Sequence, residues 1–172
     1  MRIGVLTSGG DCPGLNAVIR ALVRKVERVH HGEVIGFRDA WRGVLDDDWE
    51  QLTVETCRGI LPRGGTILGT SRVQPYQFDD GVDRVRSAIE RHRLDGFVVI
   101  GGNGSLSAAL ELQRDGIPCI GVPKTIDNDI DATEQCFGFD TAVHVATAAI
   151  DRLHTTAEAH DRVMVLEVMG RD

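Results

Sequence analysis

The sequence predicts a three-layer α/β fold built on a mainly parallel sheet. Short apolar runs alternate with amphipathic helical stretches along most of its 172 residues. Three of those runs stop abruptly at polar loops rich in glycine or carboxylate, after Leu6, Ile100 and Val122. The composition, 42% hydrophobic and 26% charged, suits a folded chain with a sizeable core and argues against disorder.

In chain order, Arg2–Leu6 reads as a strand, and Thr7–Gly14 is a loop dense in glycine. Leu15, Val18, Ile19, Leu22, Val26 and Val29 then repeat at three- and four-residue steps, with Arg20, Arg24, Lys25 and Arg28 off the stripe. That is an amphipathic helix lying on a sheet. Val34–Phe37 is the next strand. The β-α-β unit so formed predicts parallel pairing with a right-handed crossover. Trp41–Leu52 reads as acidic and irregular, with Asp46, Asp47 and Asp48 in a solvated turn. Thr53–Leu61 fits a short helix stopped by Pro62.

Arg63–Arg72 is a second glycine-rich stretch. Val82, Val85, Ile89 and His92 mark a surface helix, and Phe97–Ile100 is a strongly apolar strand leading into Gly101–Ser105. The helix after it places Leu106, Ala109, Leu110 and Gln113 on one face. Ile117–Val122 reads as a buried strand. Val122 precedes proline and so stays extended, handing over to the loop Pro123–Asp129. Phe139, Ala142, Val143, Ala146, Ile150 and Leu153 define a long helix to about Glu158, and Arg162–Val168 reads as a last strand.

The formal net charge of −7, without a basic patch, excludes an ordinary nucleic-acid binder. No apolar run approaches membrane-spanning length, and the N-terminus lacks a signal-peptide core, so the expected location is cytoplasmic, away from membranes. Cys12, Cys57, Cys119 and Cys136 form no C-x-x-C pair and read as free thiols of a reducing compartment. The six histidines lack metal-ligand spacing.

The three strand-ending loops carry the chemistry. Glycines bring backbone N–H groups close to a phosphate, and a following helix adds the positive end of its dipole. Gly9–Gly14 and Gly101–Ser105 both have that form, and Gly64–Gly69 ends near a cation, Arg72. The Pro123–Asp129 loop adds Lys124, Thr125, Asp127 and Asp129: one cation, one hydroxyl and two carboxylates. Alone it also suits an acidic turn; beside two glycine loops it suits proton and metal handling at a polyphosphate. Neither the G-x-x-x-x-G-K-[ST] nor the G-x-G-x-x-G pattern fits these loops.

At this level of detail the chain resembles the N-terminal half of the 6-phosphofructokinase family. The resemblance rests on GVLTSGGDCPGLNAVIR (residues 4–20), RGGTILGTSR (63–72), VIGGNGS (99–105), PKTIDNDI (123–130) and AIDRLHTTAEAHDRVMVLEVMGR (149–171), in order along nearly the whole chain. The third motif alone is less specific, because NAD kinases and lipid kinases carry a similar loop. The resemblance implies a Rossmann-like nucleotide-binding domain, incomplete, over residues 1–138. Residues 139–172 would be the start of a second, similar domain that binds sugar phosphate. It implies transfer of the γ-phosphoryl group of ATP to the 1-hydroxyl of fructose 6-phosphate, with Mg2+, in glycolysis. An NAD kinase-like enzyme and a non-catalytic nucleotide-binding remnant are the alternatives.

Residue roles follow from the same resemblance. Gly10, Gly102, Asn103, Gly104 and Ser105 would hold the donor, with Arg72, Val73 and Lys124 beside it. Asn103 stands at the magnesium position. Asp127 would take the hydroxyl proton, supported by Thr125, Asp129 and Arg72. Thr125, Ile126, Asp127, Met169, Gly170 and Arg171 would contact the sugar phosphate. Arg162 would reach the substrate of a neighbouring subunit, which implies a homotetramer. Two positions depart from the ordinary ATP-dependent pattern. Position 103 is an amide where the family has an acid, which brings no charge to the metal. Gly104 matches ATP-dependent members, whereas Lys124 matches the pyrophosphate type; the combination resembles the mixed subgroup typical of actinobacteria. Pyrophosphate is thus the less favoured donor. The family's chains also continue past the point where this sequence stops.

Overall fold

The computed structural model describes residues 1–170. Its centre is one six-stranded sheet. The strands are β1 (Arg2–Ser8), β2 (Glu33–Phe37), β3 (Trp49–Leu52), β4 (Gly96–Gly101), β5 (Cys119–Thr125) and β6 (Phe137–Gly138). They lie in the order β3-β2-β1-β4-β5-β6, and only β2–β3 pairs antiparallel. The helices are α1 (Leu15–His30), α2 (Trp41–Asp46), α3 (Gly81–His92), α4 (Asn103–Arg114) and α5 (Phe139–Ala159).

Alternation along the strands divides the core into two layers. Val5, Val34, Val98 and Ile100 face α1, meeting Leu15, Ile19, Val23 and Val26. Leu6, Ile35, Phe37, Phe97 and Val99 face the other way, onto α2, α3 and α4. β4 is buried over its whole length, as a central strand covered on both faces should be. The three-layer α/β architecture is therefore the one the periodicity predicts.

Five segments differ from the sequence expectation. Trp41–Leu52 is not irregular: it holds α2 and the antiparallel β3. Trp41, Val44 and Leu45 bury one short face, and Trp41 stacks edge-on against Phe97 at 5.5 Å between ring centroids. Six residues are too few for a helical period to stand out. The acidic run does make the turn between the two elements, with Asp47 left-handed at φ 61°.

Thr53–Leu61 forms turns rather than a helix. Thr53 and Thr56 exchange side-chain and backbone hydrogen bonds of 2.8 and 3.1 Å, competing with the helical pattern, and Gly59 at φ 77° ends any continuation.

On α4 the buried face is Ser105, Ala108, Ala109 and Leu112, so Leu110 and Gln113 point outward. The small Ser105 sits so close to Gly101 that any side chain at 101 would collide with it.

β5 runs on through Pro123 to Thr125 and is not fully buried, with Ile120 67% exposed. On the side away from β4 it meets the two-residue β6, the near-edge setting in which a strand tolerates proline.

The expected last strand, Arg162–Val168, does not form. Residues 162–170 have no regular structure, and Val163 and Val165 are each 93% exposed. A strand needs a hydrogen-bonded neighbour, and among the described residues none pairs with this segment. α5 forms as expected, with no residue fully buried.

Candidate functional site

The carboxyl ends of β1, β4 and β5 open into one cavity of about 520 Å³. In an open α/β sheet this end is where ligands bind. Its walls come from Gly9–Asp11, Arg72, Gln74, Gly102–Ser105, Lys124–Asp127, Met169 and Gly170. The three loops singled out in the sequence therefore meet at one site.

Hydrogen bonds hold these walls in register. Gly9 N donates to Ser71 O at 3.0 Å, and Thr70 Oγ1 donates to Gly9 O at 2.5 Å. Thr7 Oγ1 donates to Gly69 O at 2.7 Å, so the second glycine stretch is zipped onto the first. Farther back, buried Asn16 donates to Arg63 O at 3.0 Å and accepts from Ile67 N at 2.8 Å. Ser105 Oγ donates to Ser8 Oγ at 2.9 Å, tying the start of α4 to the end of β1.

Gly102 caps α4 in extended conformation, so the first amides of the helix, from Asn103 onward, lack intrahelical partners and border the cavity. Built onto Gly10 or Gly104, a Cβ would meet no protein atom within 4 Å. Packing therefore does not demand glycine at either position. The free space belongs to the cavity and leaves backbone accessible to a bulky anion.

Lys124 is 5% exposed, and its Nζ donates to Gly10 O. Burial lowers its pKa, an effect that Cys12 and Asp11 partly offset. A phosphate entering the cavity would favour the charged form. Burial also pushes the Cys12 thiol up to about 11 against the pull of Lys124, which keeps it an inert thiol.

Farther along the same loop, Asp127 N donates to Thr125 Oγ1 at 3.1 Å, fixing the turn that presents the carboxylate. Gly170 lies behind it, its Cβ position 3.9 Å from Asp127 Oδ1.

Of the residues expected at the site, Gly10, Arg72, Gly102, Asn103, Gly104, Ser105, Lys124, Thr125, Ile126, Asp127, Met169 and Gly170 line this cavity. Val73 does not; it packs against the core. Asp129 and Arg162 are exposed and lie off the cavity wall. Arg171 falls outside the described residues. The cavity adds Gly9, Asp11 and Gln74, which the sequence reading did not assign. Gly9 and Asp11 had a visible signal, as members of the first glycine loop; Gln74 had none.

Among the described residues no group of three or more His, Cys, Asp or Glu forms a metal cluster. The donors on the cavity wall are hard oxygens: the Asn103 amide and the Asp11 and Asp127 carboxylates. Such a set suits magnesium carried in by phosphates, since that ion keeps several waters and needs few protein ligands. It does not suit zinc, which favours nitrogen and sulfur.

The family model described as Phosphofructokinase matches residues 2–172. This chain belongs to the phosphofructokinase family. It is 60% identical over 171 residues to ATP-dependent 6-phosphofructokinase 3 of Streptomyces coelicolor, covering 99% of this chain and 50% of that one. With the same coverage it is 57% identical to a pyrophosphate–fructose 6-phosphate 1-phosphotransferase of Amycolatopsis methanolica. A solved phosphofructokinase structure from Saccharomyces cerevisiae superposes with a TM-score of 0.89 at 30% identity, over 99% of this chain and 26% of that chain. The chain thus spans about half the length of the curated relatives it matches.

Proposed function

We propose that this chain carries the donor-phosphate and acceptor-hydroxyl machinery of a 6-phosphofructokinase, transferring the γ-phosphoryl group of ATP to the 1-hydroxyl of fructose 6-phosphate. The observation that supports it most is the meeting, in one cavity, of open glycine backbone, the buried Lys124 and the Asp127 carboxylate. Donor phosphates would lie on the amides of Gly10 and Gly102–Ser105, with the α4 dipole behind them. Arg72 and Lys124 would neutralise the phosphate oxygens as charge shifts toward the leaving group. Magnesium, held by Asn103 with Asp11 near it, would supply further charge neutralisation on the donor. Val73 would serve this wall only from behind, as packing.

Asp127 would accept the proton of the sugar hydroxyl, with Thr125 fixing its turn and Asp129 adding to the local negative field. Ile126, Met169, Gly170 and Arg171 would line the sugar-phosphate side. Arg162, exposed here, would reach a neighbouring subunit in a cytoplasmic homotetramer. In the same reading residues 1–138 form the donor domain and residues 139–172 begin the acceptor domain.

Pyrophosphate is the second reading, favoured by the buried Lys124 and by relatives named for that donor. ATP is preferred because the space above Gly104 is open, where a carboxylate would repel the inner phosphates of a nucleotide.

To test both, join this chain to the C-terminal half of the Streptomyces coelicolor relative and assay fructose 6-phosphate phosphorylation with each donor. ATP should support the faster turnover, and Asp127→Asn should lower it about 10²–10⁴-fold. Faster turnover on pyrophosphate reverses the donor assignment. A rate for Asp127→Asn within a few-fold of wild type removes Asp127 as the base.

A further inference from the structure

Between the two carboxylates of the acceptor loop stands Asn128, and its geometry differs from theirs. Its φ is 52°, in the left-handed region that asparagine tolerates better than most residues. Its side chain turns away from the cavity. Oδ1 accepts a hydrogen bond from Cys136 N at 2.8 Å, while Nδ2 lies 3.5 Å from Glu134 O. One amide thus closes the whole excursion from Asp127 to Cys136 onto itself.

The closure reaches the first glycine loop. Cys136 is buried and leads directly into β6, whose Phe137 and Gly138 pair with Lys124 and Thr125. Phe137 O accepts from Cys12 Sγ at 3.4 Å, and a side chain at Gly138 would collide with that sulfur. Residues 136–138 therefore form a strut. One end rests on the first glycine loop and the other is pinned by Asn128.

We propose that Asn128 is a positioning residue for Asp127. Its left-handed backbone sets the direction of the turn, and its amide fixes that turn against the strut that also braces the donor loop. The role rests on the reading of Asp127 as the acceptor-side base. It differs from plain turn formation in one respect: the amide, and not only the backbone conformation, determines where the neighbouring carboxylate sits.

Substitution separates the two contributions. Asn128→Gly keeps the left-handed turn and removes the amide. Asn128→Ala removes both. Asn128→Asp keeps the acceptor atom. Amide exchange and the Asp127 resonances can be followed by NMR on the 172-residue chain. In Asn128→Gly the Cys136 amide should exchange about two- to tenfold faster, the range for one lost hydrogen bond, and the Asp127 side-chain carboxyl resonance should move. In Asn128→Asp, Cys136 protection and the Asp127 backbone shifts should return close to wild type.

An Asp127 carboxyl resonance in Asn128→Gly identical to wild type would overturn the positioning role. So would Cys136 exchange left unprotected in Asn128→Asp. If Asn128→Ala does not fold, the glycine and aspartate variants, which keep the turn, decide alone. Fructose 6-phosphate phosphorylation by the chain joined to the C-terminal half of the Streptomyces coelicolor relative reads the underlying function separately: an Asp127→Asn rate within a few-fold of wild type removes the acceptor reading, whatever the Asn128 variants show.

Discussion

Helices α1 and α5 both carry an apolar stripe at helical spacing, and only α1 buries it. α1 follows a strand that sits mid-sheet and returns to β2 beside it, so its stripe is carried across the sheet face. Leu15, Ile19, Val23 and Val26 are consequently sealed between helix and strands. α5 is longer, 21 residues, yet it leaves from β6, a two-residue strand at the sheet edge. Its Val143, Val145 and Ile150 remain about half exposed. Periodicity thus specifies which face of a helix is apolar; topology specifies whether anything covers it.

A matched pair of substitutions measures that difference most directly. Ile19 is 0% exposed and Ile150 is 50% exposed. Ile19→Ala should destabilise by about 2–5 kcal/mol, the usual range for emptying a packed site. Ile150→Ala should change stability by about 0.5 kcal/mol or less, as surface substitutions do. Denaturant midpoints at constant slope check both. Equal losses would mean that α5 packs in solution against a surface not seen here, and the contrast between the helices would vanish.

A smaller effect sharpens the same contrast on the polar side of α1. Asn16 lies on the buried face of the helix and makes its hydrogen bonds to the 63–67 segment. Asn16→Ala should cost about 1–3 kcal/mol, because the Ile67 N–H loses its partner. It should also loosen the segment that leads to Arg72, read as faster amide exchange at Ile67. Unchanged exchange there would show that the zipper between Thr7, Gly9 and residues 69–71 suffices without Asn16.

The same logic explains what could be read from the chain and what could not. β1, β2, β4, α1 and α3 stood out because each is long enough, or apolar enough, to show its period. The site was legible because its loops repeat one physical device, glycine at a strand end followed by a helix. α2 and β3 were hidden by their length, and the acidic turn joining them masked the buried Trp41. The face of α4 was misjudged by one position because close approach at Gly101 selects Ser105 and Leu112, whereas hydrophobicity alone selects Leu106 and Leu110. Val73 packs against the core while its neighbours Arg72 and Gln74 line the cavity, so alternation along the chain, which the glycine pattern does not encode, decides which side chains face the site. Arg162–Val168 has the composition of a strand, but a strand is a property of two segments, and composition describes one.

The smallest expected effect concerns the ion pairs that pin α3. Asp47 accepts from His92 Nε2 at 2.6 Å and pairs with Arg91 at 2.9 Å. An ionised carboxylate only accepts, so the histidine nitrogen is the donor. Burial by itself would raise the Asp47 pKa, but the hydrogen bonds and charges of His92 and Arg91 outweigh it and the net shift is downward. The folded value therefore lies below the unfolded one of about 3.9. Stabilisation from this group is then fully present above the ordinary carboxylate pKa and is lost as pH falls through the depressed folded value. Asp47 is 38% exposed, so screening keeps its contribution at neutral pH to about 1 kcal/mol or less. Asp47→Asn should lower the thermal midpoint slightly at pH 7 and not at all once the pH is well below about 3.9. The wild-type and variant curves should therefore converge on acidification. Curves that stay parallel through that range would place the stabilisation in the packing of His92 between Phe37 and Trp49, at 5.9 and 5.0 Å between ring centroids, and not in the charge of Asp47.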